Sequence, residues 1–154
     1  MKNSCLQLLR YFVPEISISA NPSFNPDKDR DSGMEEFSVG TAVNRQAAPE
    51  GFPGHSWLIE MQISQGIKQG KNSPYQFKLV IVGMFAFNDG TETDEKEAQF
   101  VQVNGSTILY GAAREILRST MTLGPWGHVI IPTISFYEKQ ATHTGETVPA
   151  SKAD

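Results

Sequence analysis

The stretch SWLIEMQISQ, Ser56 to Gln65, sends Trp57, Ile59, Met61 and Ile63 to one side and Glu60, Gln62 and Ser64 to the other. A period of two is the signature of a half-buried β-strand, and the same residues wound into a helix would scatter their apolar groups all round. YQFKLVIVGMFAF follows after the polar turn GIKQGKNSP, with Tyr75, Phe77, Leu79, Ile81, Phe85 and Phe87 facing one way and Gln76, Lys78, Val80, Val82 and Met84 the other. Its second half is apolar on both sides, so both are expected to be covered. Strands joined by a turn with no helix between them are expected to pair antiparallel.

Two strands are predicted upstream. In LQLLRYFVPEISIS, Leu6, Leu8, Phe12, Ile16 and Ile18 share one parity and Leu9, Tyr11 and Val13 the other. Pro14 has no amide proton for a ladder and marks a bulge or an edge. Phe37, Val39, Thr41 and Val43 share one face of the second strand. NPSFNPDKDRDSGMEE and APEGFPGHS read as loops. Four strands with no helix between them predict an antiparallel sheet.

After Asn88-Asp89-Gly90 the period changes. Residues 92–103 carry acids in what reads as the first turn of a short helix, which suits the helix dipole. Asn104-Gly105-Ser106 reads as a break with Ser106 as N-cap of a second helix. The stripe of that helix is Leu109, Ala112, Ala113, Ile116, Leu117 and Thr120, and its stop is Gly124 before Pro125. HVIIPTISFYE is an apolar extended piece. Residues 1–137 are expected to form one domain, and 138–154, polar and without apolar period, a disordered tail.

The chain has 154 residues, enough for one core. Its net charge of -4 and the lack of a basic run argue against nucleic acid as a partner. The only cysteine, Cys5, excludes an internal disulfide and the paired-thiol zinc sites, and fits a reducing cytoplasm. Arg10 interrupts the N-terminal apolar patch before it reaches signal-peptide length. The longest apolar run, Leu79 to Val82, is far too short for a span, so a soluble, uncleaved chain with no direct membrane insertion is expected.

Chemistry-bearing patterns are few. Asp27, Asp29 and Asp31 have the alternate spacing of a calcium loop, but Ser32 stands where its glycine belongs, Gly33 comes one place late, and Ser38 replaces the bidentate glutamate. His55, His128 and His143 have no close spacing to one another, Cys5 has no evident histidine partner, and no nucleophile elbow, phosphate loop or dinucleotide fingerprint occurs. The expectation is a non-enzyme without cofactor or metal. Nine Phe, four Tyr, two Trp and five Met are an excess for a four-stranded sheet under two short helices, and together predict self-association plus an apolar surface groove. A small enzyme or ligand carrier using that groove is the alternative.

The order of the segments resembles the SecB family of protein-export chaperones. LQLLRYFVPEISISANP resembles the family's first strand, SWLIEMQIS and YQFKLVIVGMFAF its third and fourth strands, and STILYGAAREIL its long helix. PWGHVIIPTISF resembles the loop and Pro-x-x-x-Phe stretch before its last helix. The resemblance implies an α+β fold, a four-stranded antiparallel sheet with a long helix on one face, assembled as a homodimer or homotetramer through first strands and long helices. Gly111, Ala112 and Ala113 would admit a neighbouring helix, and Arg114 and Glu115 would pair at the interface. It implies a cytoplasmic, ATP-independent chaperone that holds unfolded or newly made polypeptides, with Phe136, Tyr75, Leu109 and Trp126 in the groove and Met34 or Phe37 as a flexible wall.

The family docks its SecA-type translocase motor on exposed acids of the sheet. Glu15 matches one, while Ser19 and Lys78 stand where acids are expected; Gly111 replaces a frequent proline, and EKQATHTGETVPASK is unlike the amphipathic last helix. These departures leave room for a SecB-like chaperone dedicated to one client, such as an antitoxin.

Overall fold

The computed structural model describes residues 4–30, 37–47, 50, 54–88 and 93–137. The chain forms β1 (Leu6–Ala20), β2 (Phe37–Gln46), β3 (His55–Gln65), β4 (Tyr75–Phe87) and α1 (Asp94–Met121). The strands form one antiparallel sheet in the order β1-β4-β3-β2. With α1 packed on one face, the fold is α+β, as the sequence predicts. Met34, Asp31 and the tail 138–154 lie outside the described residues.

The inner face carries the alternating set: Ile59, Met61 and Ile63 of β3 and Leu79, Ile81 and Phe85 of β4 are completely buried. On the opposite face Val82 and Ala86 are buried too. Arg10 lies across this face with its Nε donating to Met84 Sδ at 3.0 Å.

β1 is an edge strand and its register shifts twice, between Leu8 and Arg10 and between Phe12 and Glu15. Pro14 lies inside the second shift, so both roles expected of it are realised. Each extra residue swaps the faces of the residues beyond it. Tyr11 therefore stands opposite Gly83 on the helix side and Phe12 opposite Val82 on the other, which corrects the single-parity reading of this strand. Leu9, Tyr11, Phe12 and Ile16 all remain exposed.

The expected pair of helices is one continuous helix of 28 residues, begun at Thr93. Glu97, Val101, Gly105, Leu109, Ala113, Leu117 and Met121 are buried at every fourth position, a stripe that winds slowly round the helix as it crosses the twisted sheet. Gly105 is no break: a Cβ there would collide with Ile59 Cδ1, so glycine lets the helix sit down on β3. Ser106 is no cap and is fully buried within the helix. Gly124 is no left-handed stop either, since the helix ends at Met121 and a Cβ on Gly124 would lie 2.6 Å from the Tyr75 hydroxyl. Local signals for a break were consistent with close packing, and tertiary contact decided between them.

Candidate functional site

β2 is the second edge strand. Its inner-face residues Phe37, Val39, Thr41 and Val43 are opposite Gln65, Ile63, Met61 and Ile59. The β3 members Ile63, Met61 and Ile59 are sealed under α1, whereas all four β2 residues are only half-buried. An apolar shelf is thus left beside the helix. Gln102 reaches it from α1, its amide donating to Thr41 Oγ1 at 3.0 Å.

The chain returns along this side. Residues 127–137 have no regular secondary structure and run back past α1. Tyr110 donates its hydroxyl to the Pro132 carbonyl at 2.6 Å, and Arg114 Nε donates to the Ile131 carbonyl at 3.1 Å. Phe136 stands edge-on to the Tyr110 ring at 5.7 Å, and the Arg114 guanidinium lies over that ring at 5.9 Å. Burial raises the Tyr110 hydroxyl pKa, opposed in part by the nearby Arg114 charge. A cavity of about 400 Å³ remains between Phe136, Tyr137, Gln99, Gln102 and Val103. A second, of about 550 Å³, opens beyond Tyr137 and is walled by Cys5, Phe87, Phe100 and Val103 with Lys96, Gln99 and Asn104.

The structure divides the groove residues expected from sequence. Phe136, Phe37 and Trp126 are half-buried and border solvent. Leu109 and Tyr75 lie in the core. The Tyr75 hydroxyl donates to the Met121 carbonyl at 3.3 Å and accepts the Trp126 amide at 3.0 Å, so it ties the helix end to the following turn. Trp126 Nε1 donates to the Asn21 carbonyl at 3.1 Å, and its ring meets Phe24 at 5.2 Å. Phe24 was not foreseen; it is buried, with every other described residue of 22–30 exposed.

Arg114, expected at an interface, is engaged within the chain on Ile131 and Tyr110. Glu115 pairs with Arg118 at 2.6 Å. Gly111 is exposed and a Cβ there would touch nothing; Ala112 is half-buried against the core. Glu15 forms a 3.1 Å ion pair with Lys78, so the one acid matching the docking pattern is neutralised by the residue standing in another's place. The Lys28 and Asp29 carbonyls accept from Asn72 Nδ2, and among the described residues no three acidic, histidine or cysteine side chains converge as a metal cage.

One polar constellation among the described residues was missed from sequence. The buried Glu97 carboxylate accepts Trp57 Nε1 at 2.7 Å and faces His55 Nδ1 at 2.9 Å, while His55 Nε2 faces the Arg45 guanidinium. Arg45 also pairs with Asp94 at 3.2 Å. Guanidinium has only donors and carboxylate only acceptors, so His55 carries its hydrogen on Nδ1 and both ring nitrogens are used. The cluster clamps β2, β3 and the start of α1. The signal was present: His55 and Trp57 share the inner face of β3, and a buried indole N–H needs an acceptor.

Neither a protein-family model nor a curated protein matches the chain. Solved structures do. The Mycobacterium tuberculosis SecB-like chaperone in complex with a ChAD peptide from the HigA1 antitoxin aligns with a TM-score of 0.50 at 11% identity, covering 84% of this chain and 91% of that one. A Streptococcus agalactiae protein of unknown function aligns with a TM-score of 0.55 at 12% identity, covering 83% and 97%. Among the described residues no helix is long and apolar enough to cross a membrane.

Proposed function

We propose that this chain, whose fold is SecB-like, is an ATP-independent chaperone that holds unfolded or newly made polypeptides along the shelf between β2 and α1. The observation carrying this reading is that Phe37, Val39, Thr41 and Val43 stay half-open while their β3 partners are sealed. Each apolar side chain a client buries there contributes about 1.5 to 3 kcal/mol, and the open edge of β2 adds main-chain pairing, so several weak contacts suffice without a shaped pocket. In this reading the half-open Phe37, Phe136 and Trp126 offer apolar surface to the client, while Tyr75 and Leu109 stay in the core.

The assembly is a cytoplasmic homodimer or homotetramer. Its support is the exposed Leu9, Tyr11, Phe12 and Ile16 of edge strand β1, with Phe100 and Ile108 on the open side of α1. Such apolar exposure on an unpaired edge is a surface for a second copy.

Export through a translocase motor is the first version of this function. A chaperone dedicated to one client, such as an antitoxin, is the second, and the Glu15–Lys78 pair favours it because it removes a free acid from the outer face. Suppression of aggregation is to be measured with several chemically unrelated unfolded proteins. Protection of all of them is expected of a general holdase, protection of a single one assigns the dedicated role, and protection of none rejects both.

A further inference from the structure

The residue following each core-stripe residue of α1 lies about 100° round the helix from it. Gln102, Ser106, Tyr110 and Arg114 follow Val101, Gly105, Leu109 and Ala113 in this way, so they form one flank winding beside the stripe. Gln102 bonding to Thr41 identifies it as the flank over β2. All four carry hydrogen-bond donors, spaced about 6 Å apart along the axis. A row of donors holds main-chain carbonyls whatever the side chains beside them.

Three of the four are already used within the chain, Gln102 on Thr41 and the other two on the returning segment. Arg114 and Tyr110 hold the carbonyls of Ile131 and Pro132, two consecutive residues. Among the described residues, 128–137 make no backbone-to-backbone hydrogen bond, so these side-chain bonds and the apolar seating of Ile131, Ile134 and Phe136 hold the segment. Ile130 and Tyr137 remain exposed. Further along the row, the Ser106 hydroxyl is buried with no hydrogen-bond partner. A buried, unused donor costs stability unless something else uses it.

We propose that Gln102, Ser106, Tyr110 and Arg114 form a track for the main chain of an extended, apolar polypeptide, and that residues 128–137 sit on it as an internal stand-in which a client displaces. The occupant is an unfolded chain rich in aliphatic residues, because an Ile-Ile-Pro-Thr-Ile-Ser-Phe segment already fits. The inference rests on the holdase reading and adds its groove chemistry and its regulation: a client must outcompete the strap, which lowers its apparent affinity by the fraction of molecules with the strap released.

The test uses the full chain with isoleucine methyl groups labelled for NMR, and a reduced, alkylated, permanently unfolded protein as probe. On saturation, the Ile130, Ile131 and Ile134 signals are expected to move to the positions of an unrestrained chain. Ile134→Ser, which loosens the strap without touching a groove residue and is checked for unchanged helix content, is expected to bind the probe about tenfold more tightly than wild type. Adding Arg114→Gln or Tyr110→Phe in that background removes a donor and is expected to weaken binding roughly fivefold. If the probe binds while the three isoleucine signals stay in place, the strap inference falls and the holdase reading survives. If neither wild type nor Ile134→Ser binds the probe, both fall. A doubling of mass on strap release without probe binding makes a second copy the occupant and overturns the proposal.

Discussion

Trp57 on β3 donates its indole N–H to Glu97 on α1 at 2.7 Å, a bond between two buried side chains. The carboxylate also holds His55, which in turn faces Arg45, so a single acid in the first turns of the helix joins it to two strands. Removing it leaves an indole donor and an imidazole donor without an acceptor. Glu97→Ala is expected to lower unfolding stability by about 3 kcal/mol, while Glu97→Gln keeps one acceptor and costs less. Urea unfolding followed by tryptophan fluorescence measures both. Equal losses for the two variants would mean that the charge, and not the hydrogen bond to Trp57, holds the helix.

Two glycines of α1 separate packing from assembly. Gly105 lies against Ile59, so Gly105→Ala forces a buried side chain aside and is expected to cost about 1 to 3 kcal/mol. Gly111 is exposed and a Cβ there meets nothing, so Gly111→Ala is expected to stabilise the helix by about 0.5 to 1 kcal/mol. Thermal unfolding reads the two signs. The mass of the assembly gives a second reading: if Gly111 lies in a close contact between helices, Gly111→Ala shifts the oligomer toward smaller species.

These two glycines also mark what the sequence could and could not disclose. The sheet was legible because the alternation from Trp57 to Ile63 in β3 and from Tyr75 to Ile81 in β4 is a local pattern that matches burial. The helix length was not, because Asn104-Gly105-Ser106 carries a strong local break signal that only contact with Ile59 overrides. Glu97 was hidden for a related reason: an acid among acids in a first turn reads as solvated unless Trp57 is known to lie beneath it. Of the residues expected to line a groove, Phe136, Phe37 and Trp126 came out half-buried at the surface and Tyr75 and Leu109 in the core. Side-chain type alone does not tell which ring borders water.

The carboxyl of Glu115 titrates well below its ordinary 4.5, at about 2, because Arg118 donates two hydrogen bonds to it, with Ser119 adding a third. A depressed acid contributes stability that is complete above its unfolded-state value and is lost as pH falls through the folded one. The loss therefore belongs to the window from about 4.5 down to about 2, and neutral pH leaves the pair intact. In Arg118→Gln the Glu115 carboxyl is expected to return toward the ordinary range. Carboxyl-carbon NMR titration measures it; an unmoved midpoint would show that Arg118 is not the cause.

Tyr75 and Phe37 lie on neighbouring parts of the inner face and are expected to behave oppositely. The Tyr75 hydroxyl bonds to Met121 and Trp126, so Tyr75→Phe removes two hydrogen bonds and is expected to cost about 1 to 2 kcal/mol of stability with client affinity little changed. Phe37 is half-open on the β2 shelf, so Phe37→Ser is expected to change stability less. It removes an apolar contact available to a client, which weakens binding of an unfolded polypeptide by roughly tenfold. Unfolding midpoints and binding isotherms for the same two proteins test the contrast. Weakened binding in Tyr75→Phe alone would move the client contact from the β2 shelf to the helix end beside Trp126.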